Sequence, residues 1–126
     1  LYYKDLEEAL EFYGEVMGAR LLADQGFAKV CSSSATGFIG LVDGAEGLHS
    51  YTEEKAVTVS FITGEIDAWY ERLTKAGLSM RDELADQPDI PVRTFVTTDI
   101  GGYFLEFDRF LDDPRNARIL QMLGKH

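Results

Sequence analysis

The sequence predicts an α+β fold of two βαβββ modules followed by a C-terminal helix, and three observations carry that prediction. Two stretches, Leu6–Met17 and Ile66–Leu73, place apolar residues at helical spacing. Short runs rich in β-branched and aromatic residues follow each of them. The second half also repeats the first: an offset of 60 maps Leu6, Ala9, Leu10 and Tyr13 onto Ile66, Trp69, Tyr70 and Leu73. An offset of 65 maps Gly37-Phe38-Ile39 onto Gly102-Tyr103-Phe104, and Val42-Asp43 onto Phe107-Asp108. Two matched elements in the same order point to a duplicated unit.

Each element has a local reason. In the first helix Leu6, Ala9, Leu10, Tyr13 and Met17 form one apolar stripe. Asp5 is placed to cap it, Glu8 to complete a capping box, and Gly18 to end it. Strands are expected at Ala19–Asp24, Phe27–Ser32 and Phe38–Val42, separated by Gln25-Gly26 and the polar Ser32–Gly37 run. Asp43–Glu54 lacks periodicity and reads as a connecting loop. Ala56–Thr63 is a β-branched strand, and the second helix follows, with Gly77 closing it. Leu78–Leu84, Val92–Thr98 and Tyr103–Phe107 supply three more strands, with Pro88 and Pro91 keeping the stretch between the first two as a loop. Asp113 and Pro114 open a last helix, Arg115–Leu123, with Gly124 as its stop. The opening strand of module one would fall largely before Leu1. The expected organisation is a single domain over 1–126: module one 1–50, module two 51–110 and C-terminal helix 111–126.

Composition narrows the function classes. The 126 residues are 45% hydrophobic, ample for a packed interior, and carry a net charge of −10. That charge repels a phosphate backbone, so nucleic acid is not an expected partner. The apolar runs are too short to span a membrane. The single cysteine, Cys31, suits a reducing compartment, and a cytoplasmic protein is expected.

Two segments carry a resemblance to a known family. Asp5-Leu6-Glu7-Glu8-Ala9 with Phe12-Tyr13 and Met17-Gly18 is one; Asp99-Ile100-Gly101-Gly102-Tyr103 with Leu105-Glu106-Phe107 is the other. They resemble the vicinal oxygen chelate superfamily, which includes glyoxalase, bleomycin-resistance and dioxygenase proteins. The resemblance implies that the two modules form a curled mixed-sheet cup around a ligand cavity. It also implies, in catalytic members, a divalent cation (Zn, Fe, Mn or Ni) held there by His and Glu. Glu106 matches the family position on the last strand. Thr58, in Thr58-Val59-Ser60-Phe61, stands where an H-x-x-F histidine is usual, and the 65-residue offset places Leu41 opposite Glu106 in the other module. With a hydroxyl and an aliphatic side chain in those places, no bound cofactor is expected.

Other residues admit plainer roles. Strand alternation puts Glu106 and Phe104 on one sheet face, where apolar neighbours would raise a carboxyl pKa and make Glu106 a candidate general base. His49 lies in a loop, His126 is terminal, and Cys31 has no adjacent histidine. Trp69 and Tyr70 belong to the buried helix stripe. Phe61, Phe104, Thr58, Leu41 and Arg93 are the candidate ligand-binding residues, Arg93 as the partner for an anionic group. No nucleotide-binding glycine motif or serine nucleophile elbow occurs. Two functions are therefore in play. One is a small-molecule-binding protein of the bleomycin-resistance type with its metal site largely lost. The other is a metal-assisted lyase, isomerase or dioxygenase using Glu106 as ligand or base. The stripe Ile119, Leu120 and Leu123 on the last helix leads to an expected homodimer.

Overall fold

The computed structural model describes residues 1–124 and contains two four-stranded mixed sheets with helices. The chain divides into two compact units. One comprises Leu1–Lys55 and the turn Asp99–Gly102; the other comprises Ala56–Thr98 and, of the described residues, 103–124.

In the first unit the strands are β1 (Tyr2–Tyr3), β2 (Leu21–Asp24), β3 (Ala28–Ser32) and β4 (Phe38–Asp43), in the order β1-β4-β3-β2. Helix α1 (Leu6–Glu11) precedes β2, and Glu8 N–H donates to the Asp5 carboxylate at 3.1 Å, as the capping pattern predicts. The expected helix to Met17 is interrupted: Phe12–Val16 forms a π-helical turn. Phe12 and Tyr13, both on this turn, are buried. Gly18 ends the helical segment at φ 73°, a conformation that glycine alone adopts readily.

The second unit repeats this topology. Its strands are β5 (Thr58–Ile62), β6 (Met80–Asp86), β7 (Val92–Thr98) and β8 (Phe104–Phe110), in the order β5-β8-β7-β6. In both sheets the first strand runs parallel to the last and the remaining pairs are antiparallel. Each ladder is open at both edges, so neither sheet by itself closes into the curled cup that the resemblance implies. Helix α2 (Ile66–Lys75) covers one face of the second sheet. Trp69 packs on Phe107 and Tyr70 on Phe95, while Phe61, Phe107 and Phe95 form a continuous stack beneath them. Trp69 and Tyr70 thus pack on the sheet from a half-buried position, while Ile66 and Leu73 are the fully buried residues of the helix.

The tail forms a 3₁₀ turn at Pro114–Asn116 and then α3 (Ala117–Leu123). The Asn116 amide donates to the carbonyls of Pro91 and Leu111, fastening the turn to the loop before β7. Ile119, Leu120 and Leu123 are half-buried already, so the stripe is partly covered within the chain. Among the described residues, no helix is long and apolar enough to cross a membrane.

Candidate functional site

The cross-strand register decides which side chains can meet. In the second sheet Ser60 lies opposite Glu106 on one side, and Val96 on the other. Thr94 is opposite Asp108, Val92 opposite Phe110, and Thr58 opposite Phe104. Strand alternation then places Glu106, Asp108, Phe104, Thr58, Ser60, Thr94 and Val96 on one face, with α2 on the other. Ser60 Oγ lies 3.4 Å from Glu106 Oε1. A cleft of about 570 Å³ opens on this face, walled by Ile90, Val92, Val96 and Phe110, with Glu106, Asp108 and Thr94 at its polar side.

Thr58 and Phe104 share the face of Glu106, as expected. The Arg81 guanidinium stands 5.5 Å from the Phe104 ring centre. Three other candidate ligand-binding residues are corrected. Phe61 turns to the opposite face, stacked on Phe107 at 5.1 Å. Arg93 also points to the α2 side, where it pairs with Asp86 at 2.6 Å and Asp67 at 3.5 Å. It is thus engaged by protein carboxylates, away from the cleft. Leu41 is fully buried in the first unit, opposite Lys29 in the ladder. Lys29 pairs with Glu7 of α1, so this is the helix-covered face and Leu41 is a core residue.

The offset that led to Leu41 is wrong by one. Tyr2 pairs with Val42 in the first sheet, and Ile62 pairs with Asp108 in the second. Tyr2 and Ile62 keep the helix offset of 60, so Val42 corresponds to Asp108 and Gly40 to Glu106. A shift of one residue exchanges the two faces of a strand. The counterpart of Glu106 therefore has no side chain, and a Cβ built on Gly40 would meet nothing within 4 Å.

The carboxyl with unusual chemistry is Asp108. It is 8% exposed. Burial, reinforced by Glu106 beside it, raises its pKa to about 6. Thr94 Oγ1 is buried and makes no well-formed hydrogen bond, so its nearby dipole offsets the shift only in part. Asp108 escaped the sequence reading although the signal was available: it lies two residues beyond Glu106, hence on the same face. The expected strand ended at Phe107, whereas β8 continues to Phe110.

The shift makes a prediction. An acid whose folded pKa is raised destabilises the fold above about pH 6, and the penalty fades as pH falls towards 3.8. Asp108→Asn is expected to stabilise the protein by about 1–2 kcal/mol at pH 7.5 and to be neutral near pH 4. Urea unfolding at the two pH values measures this. Equal effects at both would refute it.

The remaining candidates are structural or solvated. Cys31 is 1% exposed and burial raises its thiol pKa, which makes it inert as a nucleophile. His49 is exposed and meets the Tyr2 ring edge-on. His126 lies outside the described residues. Among those described, no three His, Cys, Asp or Glu side chains are arranged to hold a metal ion. The donors at Glu106 are a second carboxylate and a hydroxyl, a set that does not fit an imidazole–carboxylate centre for zinc, iron or nickel.

Known proteins share this architecture. TioX from Micromonospora sp. ML1 matches with a TM-score of 0.72 and 24% identity over 88% of this chain and 94% of its own. A glyoxalase/bleomycin resistance protein/dioxygenase from Nocardioides matches at 0.71 and 25% identity, over 89% of this chain and 80% of its own. Lactoylglutathione lyase from Agrobacterium tumefaciens matches at 0.68 and 18% identity, over 86% of this chain and 88% of its own. No curated protein sequence matches. The family model of the Glyoxalase/Bleomycin resistance protein/Dioxygenase superfamily covers residues 1–107, from the first module to the middle of β8, Glu106 included. With paired modules of the same topology and that match across most of its length, the chain belongs to this superfamily.

Proposed function

We propose that the protein binds a small organic molecule in the cleft over Glu106 and Asp108, and that the family's metal site is largely lost. The observation that carries this reading is the environment of Glu106. Its neighbours are Ser60, Val96 and Asp108, and its counterpart in module one is Gly40. Apolar walls with a few convergent polar groups are what a small-molecule site requires. The superfamily fold hosts both enzymes and binding proteins, so fold alone does not choose between them. The chain is read further as a cytoplasmic homodimer.

The second reading, a lyase, isomerase or dioxygenase, draws on the same two carboxyls. Burial raises the Asp108 pKa to about 6, towards the range a general acid or base uses. Metal analysis separates the two. Dialysed protein is expected to hold well under one equivalent of Zn, Fe, Mn or Ni, and Glu106→Ala to change nothing. Near one equivalent in the parent and none in the variant would overturn the binding reading in favour of a metalloenzyme. A thermal-shift screen of small organic compounds is expected to yield ligands that raise the melting temperature by mass action. Light scattering on the same sample tests the dimer.

A further inference from the structure

Most carboxylates of this acidic chain for which a partner is seen meet a cation or a backbone donor. Asp24 holds Lys29, Asp86 holds Arg93, Glu71 holds Lys75 and Asp113 holds Arg115. Asp108 and Glu106 do not follow this pattern. Among the described residues neither has a lysine, arginine or histidine within ion-pair distance, although Asp108 is 8% exposed and its shortage of water should make a counter-ion most valuable.

The elements packed around the pair place no cation in ion-pair contact with it; the nearest one named, Arg81 of β6, lies over the Phe104 ring and is held by Asp82. From β5 come Thr58, Ser60 and Ile62; from β7 come Val92, Thr94 and Val96. From β6 comes Asp82, another acid at the rim, already paired with Arg81 at 2.7 Å. Arg93, the cation expected on this strand, is held on the far face. Thr94 adds a second sign: its hydroxyl oxygen is buried at the cleft and makes no well-formed hydrogen bond, with only the Asp108 carboxyl beside it. Buried polar atoms are normally satisfied, and one left open beside a cleft marks a place for a donor from outside the chain. Beyond these groups the lining is the neutral amide of Gln87 and the apolar side chains of Ile90, Val92, Val96 and Phe110.

Resting on the reading of this cleft as a small-molecule site, we infer that its ligand is an organic cation. Its protonated amine or amidinium lies against Asp108 and Glu106 and donates to Thr94 Oγ1, and its apolar or aromatic body lies on Val92, Val96 and Phe110. A cation supplies the charge that the fold withholds, and the overall charge of −10 favours its approach. An anionic ligand would face two carboxylates, with the rim arginine Arg81 already neutralised by Asp82. The direction is opposite to the one that Arg93 implied.

The test uses three probes of nearly one shape on the intact protein at pH 7.5: phenethylamine, its neutral counterpart phenethyl alcohol and the anionic hydrocinnamate. Calorimetric titration is expected to show the amine binding at least about tenfold more tightly than the alcohol, with hydrocinnamate weakest. Asp108→Asn and Glu106→Gln are each expected to weaken the amine by about tenfold and to leave the alcohol unchanged. Urea midpoints confirm that both variants fold. If the alcohol binds as well as the amine, or the amine ignores both substitutions, the cationic class is refuted while the cleft remains a binding site. If none of the three binds at millimolar concentration, the inference and the reading beneath it fall together.

Discussion

Replacing Asp99 by alanine is expected to destabilise the fold by about 3–5 kcal/mol, the largest effect of any polar substitution in the first unit. Asp99 Oδ2 accepts hydrogen bonds from Tyr3 at 2.5 Å and from Tyr13 at 2.8 Å, while the two hydroxyls lie 3.1 Å apart. Its other oxygen accepts from the Gly101 N–H at 2.9 Å. The tyrosines are each 1% exposed and Asp99 is 6% exposed, so water does not readily replace the carboxylate. Burial, with Tyr13 and Asp99 adding to it, also holds the Tyr3 phenol protonated well above its ordinary pKa.

This triad joins three places distant in sequence: β1, the π-helical turn and the turn between β7 and β8. Gly101 completes it sterically, because a Cβ there would stand 2.6 Å from the Tyr3 ring. Urea unfolding at pH 7 measures the loss. Asp99→Asn keeps an acceptor and should lose less, and Tyr3→Phe, which removes one donor, should cost about 1–2 kcal/mol. A loss below about 1 kcal/mol for Asp99→Ala would mean that the network contributes little.

Phe107→Ala is expected to destabilise the second unit by about 3–5 kcal/mol, because the residue is the hub of its core. Its ring is stacked on Phe95 at 4.7 Å with an interplanar angle of 5°, on Phe61 at 5.1 Å, and under Trp69 at 5.5 Å. Truncation leaves a cavity bounded by three aromatic rings that lose contact area and favourable stacking at once. Trp69 is the only tryptophan, so its emission reports the site directly and should shift to the red as water reaches the ring. Phe107→Leu fills part of the space and is expected to lose less. Unchanged emission together with full stability would contradict the assignment of Phe107 as the hub.

Much of this architecture was legible in the chain. The i, i+3, i+4 stripe from Leu6 and from Ile66 needs only local periodicity, and its residues face inward, with Leu6, Ala9 and Ile66 buried and Leu10, Trp69 and Tyr70 half-buried. The β-branched runs around Thr58–Ile62 and Val92–Thr98 announced strands because branched side chains pack well on a pleated surface. The repeated order of helix and strands announced two like modules, and both sheets have one topology. The motif around Asp99 and Glu106 carried the family.

The site was legible only in part, for a physical reason. Local sequence sets a strand's alternation, but pairing with a neighbour sets its register and so chooses which residues share a face. Counting along the chain placed Leu41 against Glu106, and an error of one residue was enough to exchange a core side chain for Gly40. Phe61 and Arg93 failed in the same way, since nothing local to a strand says which face a helix will cover. The continuation of β8 to Phe110 rests on its ladder with β7, which carries Asp108 into the sheet, and the burial that raises its pKa comes from its surroundings in the folded unit. The sequence by itself determined the two modules, the helix faces, and the placing of Glu106 and Phe104 on one face of the last strand. Tertiary pairing decided that Glu106 lies on the same face as Asp108, with Ser60, Val96 and Thr94 as neighbours.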